Sequence, residues 1–408
     1  MTIIPSGADA QHILIVAVIV LAVLASAIAL SYFQRKRDRI AAQRAALWVW
    51  RAAIAVSALA ISSFRYTGTT ASFVEAVGYF VGLASGGIAM REYFTRSSRK
   101  LKVVFLAKAN NGFTQMISSG ARERLTKHEA FNLIEIYPEP EAVETSLGVL
   151  EKVHAGELDQ ADAAILVLGE VTDELQLQVK RLIERGTQIV ICDANVDRAY
   201  FYERNVEPPS FVGTDFIEGG RVVGRAINSR WAPGDVIVVL CGPNFNGPAY
   251  ERAREALYTL EEQNSERDIW TVFTTAWSSA HLIEKLEKQV VPRLAALAPL
   301  GETSEQVPPR RTVHIFCGND ESAIIFSQWI MTRGLDGTYH FRLYGFDGLR
   351  NSQGELSIRA WPNIIFTVDT QPREIGRRAA SFVIDNSVQA SRRQSDSILL
   401  KPVGTFVD

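Results

Sequence analysis

Five short apolar runs in the chain are each followed by side chains able to hydrogen-bond hydroxyl groups. Asn110-Asn111-Gly112-Phe113 follows the run 101–107, and Asp193-Ala194-Asn195 follows 188–192. Gly318-Asn319-Asp320-Glu321 follows 313–317, Gly345-Phe346-Asp347-Gly348 follows 341–344, and Asp369-Thr370-Gln371-Pro372 follows 364–368. Amides and carboxylates bond to hydroxyls, and the aromatic faces stack on the C–H side of a sugar ring. A buried site of this kind rejects ligands that lack the hydroxyls, because its own polar groups would then be unpaired. Asn and Asp after strands also make Asx turns and helix N-caps. Five such strand ends in one chain favour a site for a polyhydroxylated ligand.

Other chemistries lack their residues. There is no Walker loop, no GxGxxG after the first strand and no GxSxG elbow. His128, His154, His281, His314 and His340 have no triad or metal spacing. Cys192, Cys241 and Cys317 form an odd set without a CxxC pair, which suits buried thiols in a reducing compartment and leaves no zinc site. Cys241-Gly242 after a strand has the place of a nucleophile, but a buried structural thiol fits better. No catalytic residue, metal or cofactor is expected, and the chain reads as not an enzyme. With 43 basic and 45 acidic side chains the net charge is −2, which gives no footprint for nucleic acid.

These residues need a scaffold that brings strand ends together. Strands are expected at 101–107, 163–168, 188–192, 236–241, 271–274, 313–317, 341–344 and 364–368. Between them lie amphipathic helices, such as 174–185 with Leu175, Val179, Leu182 and Ile183 on one face. Another is 249–262 with Ala253, Ala256, Leu257 and Leu260. The alternation predicts an α/β fold with parallel sheets covered by helices on both faces. So many units exceed one ordinary sheet and predict two lobes. Ligands on such sheets sit beyond the carboxyl ends of the strands. The segment 298–311 reads as a flexible insertion.

The first 99 residues have a different character. Stretches 13–33, 45–64 and 72–90 are long and apolar enough to cross a bilayer as helices. Arg51 lies about two turns into the second, from where it can snorkel to the nearer interface, and Glu75 lies near the start of the third. A cleaved signal peptide fits the first stretch poorly, since residues 1–11 hold no Lys or Arg and the apolar run is too long. Basic residues follow the first span (Arg35, Lys36, Arg37, Arg39) and the third (Arg91, Arg96, Arg99, Lys100, Lys102). Basic flanks favour the cytoplasmic side, so a multi-pass inner-membrane protein with its large domain, 100–408, in the cytoplasm is expected. If one of the weaker spans fails to insert, the domain faces the periplasmic or extracellular side. Gly78, Gly82 and Gly86 share one face of the third span. That spacing suits a homodimer through the membrane; small residues are also simply common in membrane helices.

The region from Lys100 to Asp408 resembles the type I periplasmic binding proteins, including the ribose- and galactose-binding proteins and the effector domain of lactose-repressor-type regulators. The motifs that carry the resemblance are Asn110-Asn111-Gly112-Phe113, Phe211-Val212-Gly213-Thr214-Asp215 with Glu218-Gly219-Gly220-Arg221, Gly318-Asn319-Asp320-Glu321, Gly345-Phe346-Asp347-Gly348, and Thr367-Val368-Asp369-Thr370-Gln371-Pro372 with Ile375-Gly376. It implies two doubly wound lobes joined by three crossovers near Asp215, Thr370 and Lys401. Lobe 1 would be about 101–215 and 371–400, lobe 2 about 216–370 and 401–408. It also implies that Asn111 and Phe113 line the first-lobe wall and that Asp193 accepts bonds from ligand hydroxyls. Arg252 matches the arginine that binds sugar oxygens; Arg254 is close by, and a solvated helix arginine is the other reading. Trp277 falls where an aromatic wall is expected, or else in lobe core. Asn319 and Asp347 match polar contacts, and Gln371 or Thr370 the last contact at the hinge. Ala194 stands where sugar binders often carry Arg, and Gly112 and Thr114 replace the Pro and second aromatic of the first motif.

The expected function is a membrane-anchored solute-binding or sensor domain that closes on a monosaccharide or similar polyol and acts on a signalling partner. The alternatives are the tethered substrate-binding component of an ABC-type sugar transporter, with a permease as partner, and an interaction scaffold that binds no ligand.

Overall fold

The computed structural model describes residues 100–138, 146–169, 171–194, 196–242, 247–263, 267–274, 277–297, 310–351, 353–388 and 396–407. The three expected membrane spans, Asn195 and most of the 298–311 insertion lie outside the described residues. Among the described residues no helix is long and apolar enough to cross a membrane. The chain divides into two compact units, Met1–Lys100 and Leu101–Asp408.

The first half of the second unit alternates β1 (Leu101–Ala107), α1 (Gly112–Leu125), β2 (Phe131–Ile136), α2 (Ser146–His154), β3 (Ala163–Leu168), α3 (Asp173–Glu184), β4 (Gln188–Asp193), the short α4 (Arg198–Tyr202) and β5 (Ser210–Thr214). Its second half continues with α5 (Phe216–Asn228), β6 (Val236–Cys241), α6 (Pro248–Gln263), β7 (Asp268–Phe273), α7 (Ser279–Lys285), α8 (Val291–Ala296), β8 (Arg311–Phe316), α9 (Asp320–Arg333), β9 (Tyr339–Tyr344), β10 (Ile364–Asp369), α10 (Pro372–Val388), β11 (Ser397–Leu400) and β12 (Val403–Phe406). They build two six-stranded sheets, ordered β11-β5-β4-β3-β1-β2 and β12-β10-β9-β8-β6-β7.

Strands β1 and β6 are apolar on both faces because helices cover both faces. Val103, Phe105 and Ala107 of β1 enter one buried cluster, while Val104 and Leu106 enter the cluster on the opposite face. In the second sheet Val236, Val238 and Leu240 of β6 face one way, and Ile237, Val239 and Cys241 the other. Helix α10, which follows β10 in sequence, packs on α1 of the first sheet. That approach needs Gly376, where a methyl group would overlap the Ile117 carbonyl oxygen.

The structure corrects several sequence expectations. Strands β2, β5, β11 and β12 were not among the expected runs. In β2 polar residues interrupt the apolar run, as suits a half-exposed strand at the sheet edge, and β11 and β12 have only four residues each. Strands β7, β8 and β9 begin two or three residues earlier than their apolar cores, with exposed Asp268 and half-exposed Arg311 and Tyr339. The sheets are also not wholly parallel, since β12 runs antiparallel to β10. Only Lys401 and Pro402 separate β11 from β12. A chain passing straight from one sheet into the next enters at the ends where the other strands finish. Reversing it would take a crossover of about a dozen residues.

Gly376→Ala should therefore cost about 3 kcal/mol of stability by overpacking the α1–α10 contact. Gly337→Ala, whose added methyl meets nothing within 4 Å, should change it by less than about 0.5 kcal/mol. Urea unfolding of the two variants checks both.

Candidate functional site

The residues just past the strands of one sheet meet those just past the strands of the other. The Gly112 N–H, at the end of the loop after β1, donates to Glu321 Oε1 on α9 at 2.9 Å. A methyl built on Gly247, before α6, would lie 2.8 Å from the carbonyl oxygen of Gly169, after β3. The two lobes thus close over a cleft walled by strand ends.

Two of the expected ligand contacts cap helices. Asn111 Oδ1 accepts from Thr114 N at 3.0 Å at the start of α1. Thr114 Oγ1 completes the capping box and also donates to Ala109 O at 2.7 Å. Asn319 does the same for α9, accepting from Ser322 N at 2.7 Å. The equivalent positions of the two lobes thus share one local solution, an Asn that ends the loop and starts the helix.

Asp193 ends β4 and is 4% exposed. Its Oδ2 accepts from Lys108 Nζ at 2.5 Å, and the same ammonium lies 5.9 Å from the Phe113 ring centroid. Phe113 itself is buried in the first-lobe core. Opposite, the Arg252 guanidinium on α6 lies 3.8 Å from Asp347 Oδ1 and 4.7 Å from the Phe346 ring centroid. Burial pushes the Asp347 carboxyl well above its usual range; Arg252 pulls it back, while the charges of Asp320, Asp193 and Glu321 add to the rise. Asp193 and Asp347, on different lobes, are thus close enough to influence each other. Trp277 is half-buried, its indole lying over Gly242 and Gly318 at the ends of β6 and β8. Gly318 has φ +81°, and a methyl there would collide with the ring.

Thr370 and Gln371 are committed to the hinge. Thr214 Oγ1 donates to Thr370 O at 2.9 Å, and Thr370 is fully buried. Gln371 Nε2 donates to Lys401 O at 2.7 Å, and Asp215 N donates to Leu400 O at 3.0 Å.

Among the described residues, four non-glycine residues have positive φ: Asp193 (76°), Asn205 (54°), Asp347 (106°) and Gln371 (59°). Each costs on the order of 1–3 kcal/mol, and such strain concentrates at functional sites. Three of the four lie among the residues singled out from sequence.

The sequence reading placed Asp320 and Glu321 in a strand-end motif without a role of their own, and it did not name Lys108 or Leu349. Lys108 follows a strand directly, and that position was its only signal. Asp320 is fully buried; it accepts from Thr367 Oγ1 at 2.6 Å and from Leu349 N at 2.8 Å. It thereby fixes the loop that carries Asp347. Burial pushes its carboxyl up to about 7 despite these donors. The folded state therefore favours the protonated acid, a contribution full below pH ~4 and lost as pH rises through 7. Asp320→Asn should remove that segment of the pH profile. Native stability should fall between pH 5 and pH 8 by on the order of 2 kcal/mol more than that of the variant. His314 and His340 titrate in both proteins and cancel in the comparison, while Asp347, which the Asp320 charge raises, is relieved in the variant and adds to the difference in the same direction. Urea unfolding at the two pH values checks it.

No protein-family model and no curated protein matches the chain. Solved structures do. A periplasmic solute-binding protein of an ABC transporter from Actinobacillus succinogenes, with bound D-allose, aligns with a TM-score of 0.60 at 16% identity, covering 76% of this chain and 98% of that one. A myo-inositol-binding protein from Caulobacter, bound to myo-inositol, aligns at 0.57 and 17% identity over 75% and 93%. A periplasmic ribose ABC transporter protein from Conexibacter woesei aligns at 0.54 and 18% identity over 76% and 93%. With its two parallel-sheet lobes and its cleft of strand ends, the unit from Leu101 onward has the fold of the periplasmic solute-binding proteins.

Proposed function

We propose that this unit binds a small, uncharged, polyhydroxylated ligand, a monosaccharide or cyclic polyol, in the inter-lobe cleft. It acts as a solute-binding or sensor domain and not as an enzyme. The observation that carries the reading is the pair of strained acids, Asp193 and Asp347, each with its own cation on its own lobe. A carboxylate accepts from hydroxyls, and an ammonium or guanidinium donates to their oxygens. Because each charge is already balanced within the protein, the cleft offers these bonds without net charge. A charged ligand would have to compete with a built-in ion pair. Neighbours of the same fold carry D-allose and myo-inositol in their structures, which supports the class.

The experiment is thermal unfolding of the full chain against pentoses, hexoses, inositols, nucleosides and sugar acids. A ligand at about 100 times its dissociation constant that binds only the folded state adds ~2.7 kcal/mol. Stabilisation by one neutral class, abolished in Asp193→Ala and Arg252→Ala, is the expected result. A response confined to sugar acids, or to nothing, overturns the reading.

We further propose that spans at 13–33, 45–64 and 72–90 hold the protein in the inner membrane with this unit in the cytoplasm. The basic residues flanking the first and third spans support that orientation. There the unit would read a cytoplasmic ligand and pass closure to a signalling partner. In the opposite orientation it would deliver ligand to a permease. Protease added to intact spheroplasts should leave the unit whole, and the same protease on inverted vesicles should digest it.

A further inference from the structure

Glu321 and Leu349 are both contributed by the second lobe, and both make contact with the first. Glu321 stands in the first turn of α9. Its carboxylate accepts from Gly112 N at 2.9 Å, and Gly112 opens the 14-residue α1. The first N–H groups of a helix have no partner within it and carry its positive end, so a carboxylate is favoured there. Leu349, in the loop after β9, is 6% exposed and joins the core cluster of the first lobe with Phe113 and Ile117. Its Cδ1 lies 3.3 Å from where a methyl on Gly112 would stand. The two residues therefore meet the same point of the first lobe, one by charge and one by apolar contact. Buried Asp320 braces the pair, being adjacent to Glu321 and holding the Leu349 N–H. The backbones of Gly169 and Gly247 also approach closely across the cleft.

We infer that Glu321 and Leu349 form a latch that draws the lobes together through protein contacts alone, and so set ligand affinity without touching the ligand. Opening would return the carboxylate and the leucine to water while the hinge bonds stay made. Every ligand-free chain is then divided between open and closed forms in a ratio the latch controls. Apparent affinity follows the fraction of the binding-competent form. The effect on affinity rests on the proposed sugar-binding reading; the closure does not.

The test is inter-lobe distance in the full chain with no sugar added. Spin labels go on Asp173→Cys and Tyr250→Cys, both exposed and on different lobes. Cys192, Cys241 and Cys317 are buried and escape labelling. The otherwise native chain should show mainly the short separation. Glu321→Ala and Leu349→Ala should each lower the closed-to-open ratio about tenfold, and Glu321→Gln, which keeps an acceptor, should fall between. Should Glu321→Ala not fold, Leu349→Ala alone decides. Distributions unchanged by these substitutions overturn the latch, and so does a native chain that is already mainly open. If no sugar stabilises the chain, the ligand reading fails while the distance result stands, so the two are refuted separately.

Discussion

The cleft depends on how the chain passes between the sheets. It crosses at Asp215, at Thr370 and at Lys401, each time within a few residues of a strand end. Hydrogen bonds tie the crossings side by side: Thr214 to Thr370, Gln371 to Lys401 and Asp215 to Leu400. With no linker to absorb motion in other directions, the lobes are left with a hinge movement. Strand ends on both sides are brought to face one another as a result. The polar residues of the site are neighbours for that reason alone, since Asp193 and Asp347 are far apart in sequence.

Strain and charge are concentrated at the same strand ends. Asp193, Asp347 and Gln371 hold positive φ, which packed sheets on both sides can sustain. The acids are buried beside Lys108 and Arg252, so neither carries an isolated charge. Breaking either pair would strand a charge in a low-dielectric site, at far more cost than a surface pair. Asp193 and Glu321 raise the Asp347 carboxyl from nearby, and Glu321 is also the residue that bridges to Gly112.

Much of the scaffold was legible in the sequence. Strands β1, β3, β4 and β6 are almost continuous apolar runs, and the helices α3 and α6 show their buried faces at helical spacing: Leu175, Val179 and Leu182, then Ala253, Ala256 and Leu260. Where apolar periodicity thins, the reading failed. Edge strand β2 and the four-residue β11 and β12 carry little pattern, and the antiparallel direction of β12 follows from chain connectivity rather than from any residue in it.

The site divides along the same line. Sequence alone determined that polar residues would follow the strands, because residue type and position relative to an apolar run are local properties. It also determined two lobes, through the number of strand–helix units. Only the tertiary structure decided which of those residues cap a helix, as Asn111 and Asn319 do, and which tie the hinge, as Gln371 does. Only it paired Lys108 with Asp193 and set Glu321 against Gly112. Burial and pairing are made by chain segments far apart in sequence, and a carboxylate or an amide looks the same in a sequence whether it faces its own helix or the opposite lobe.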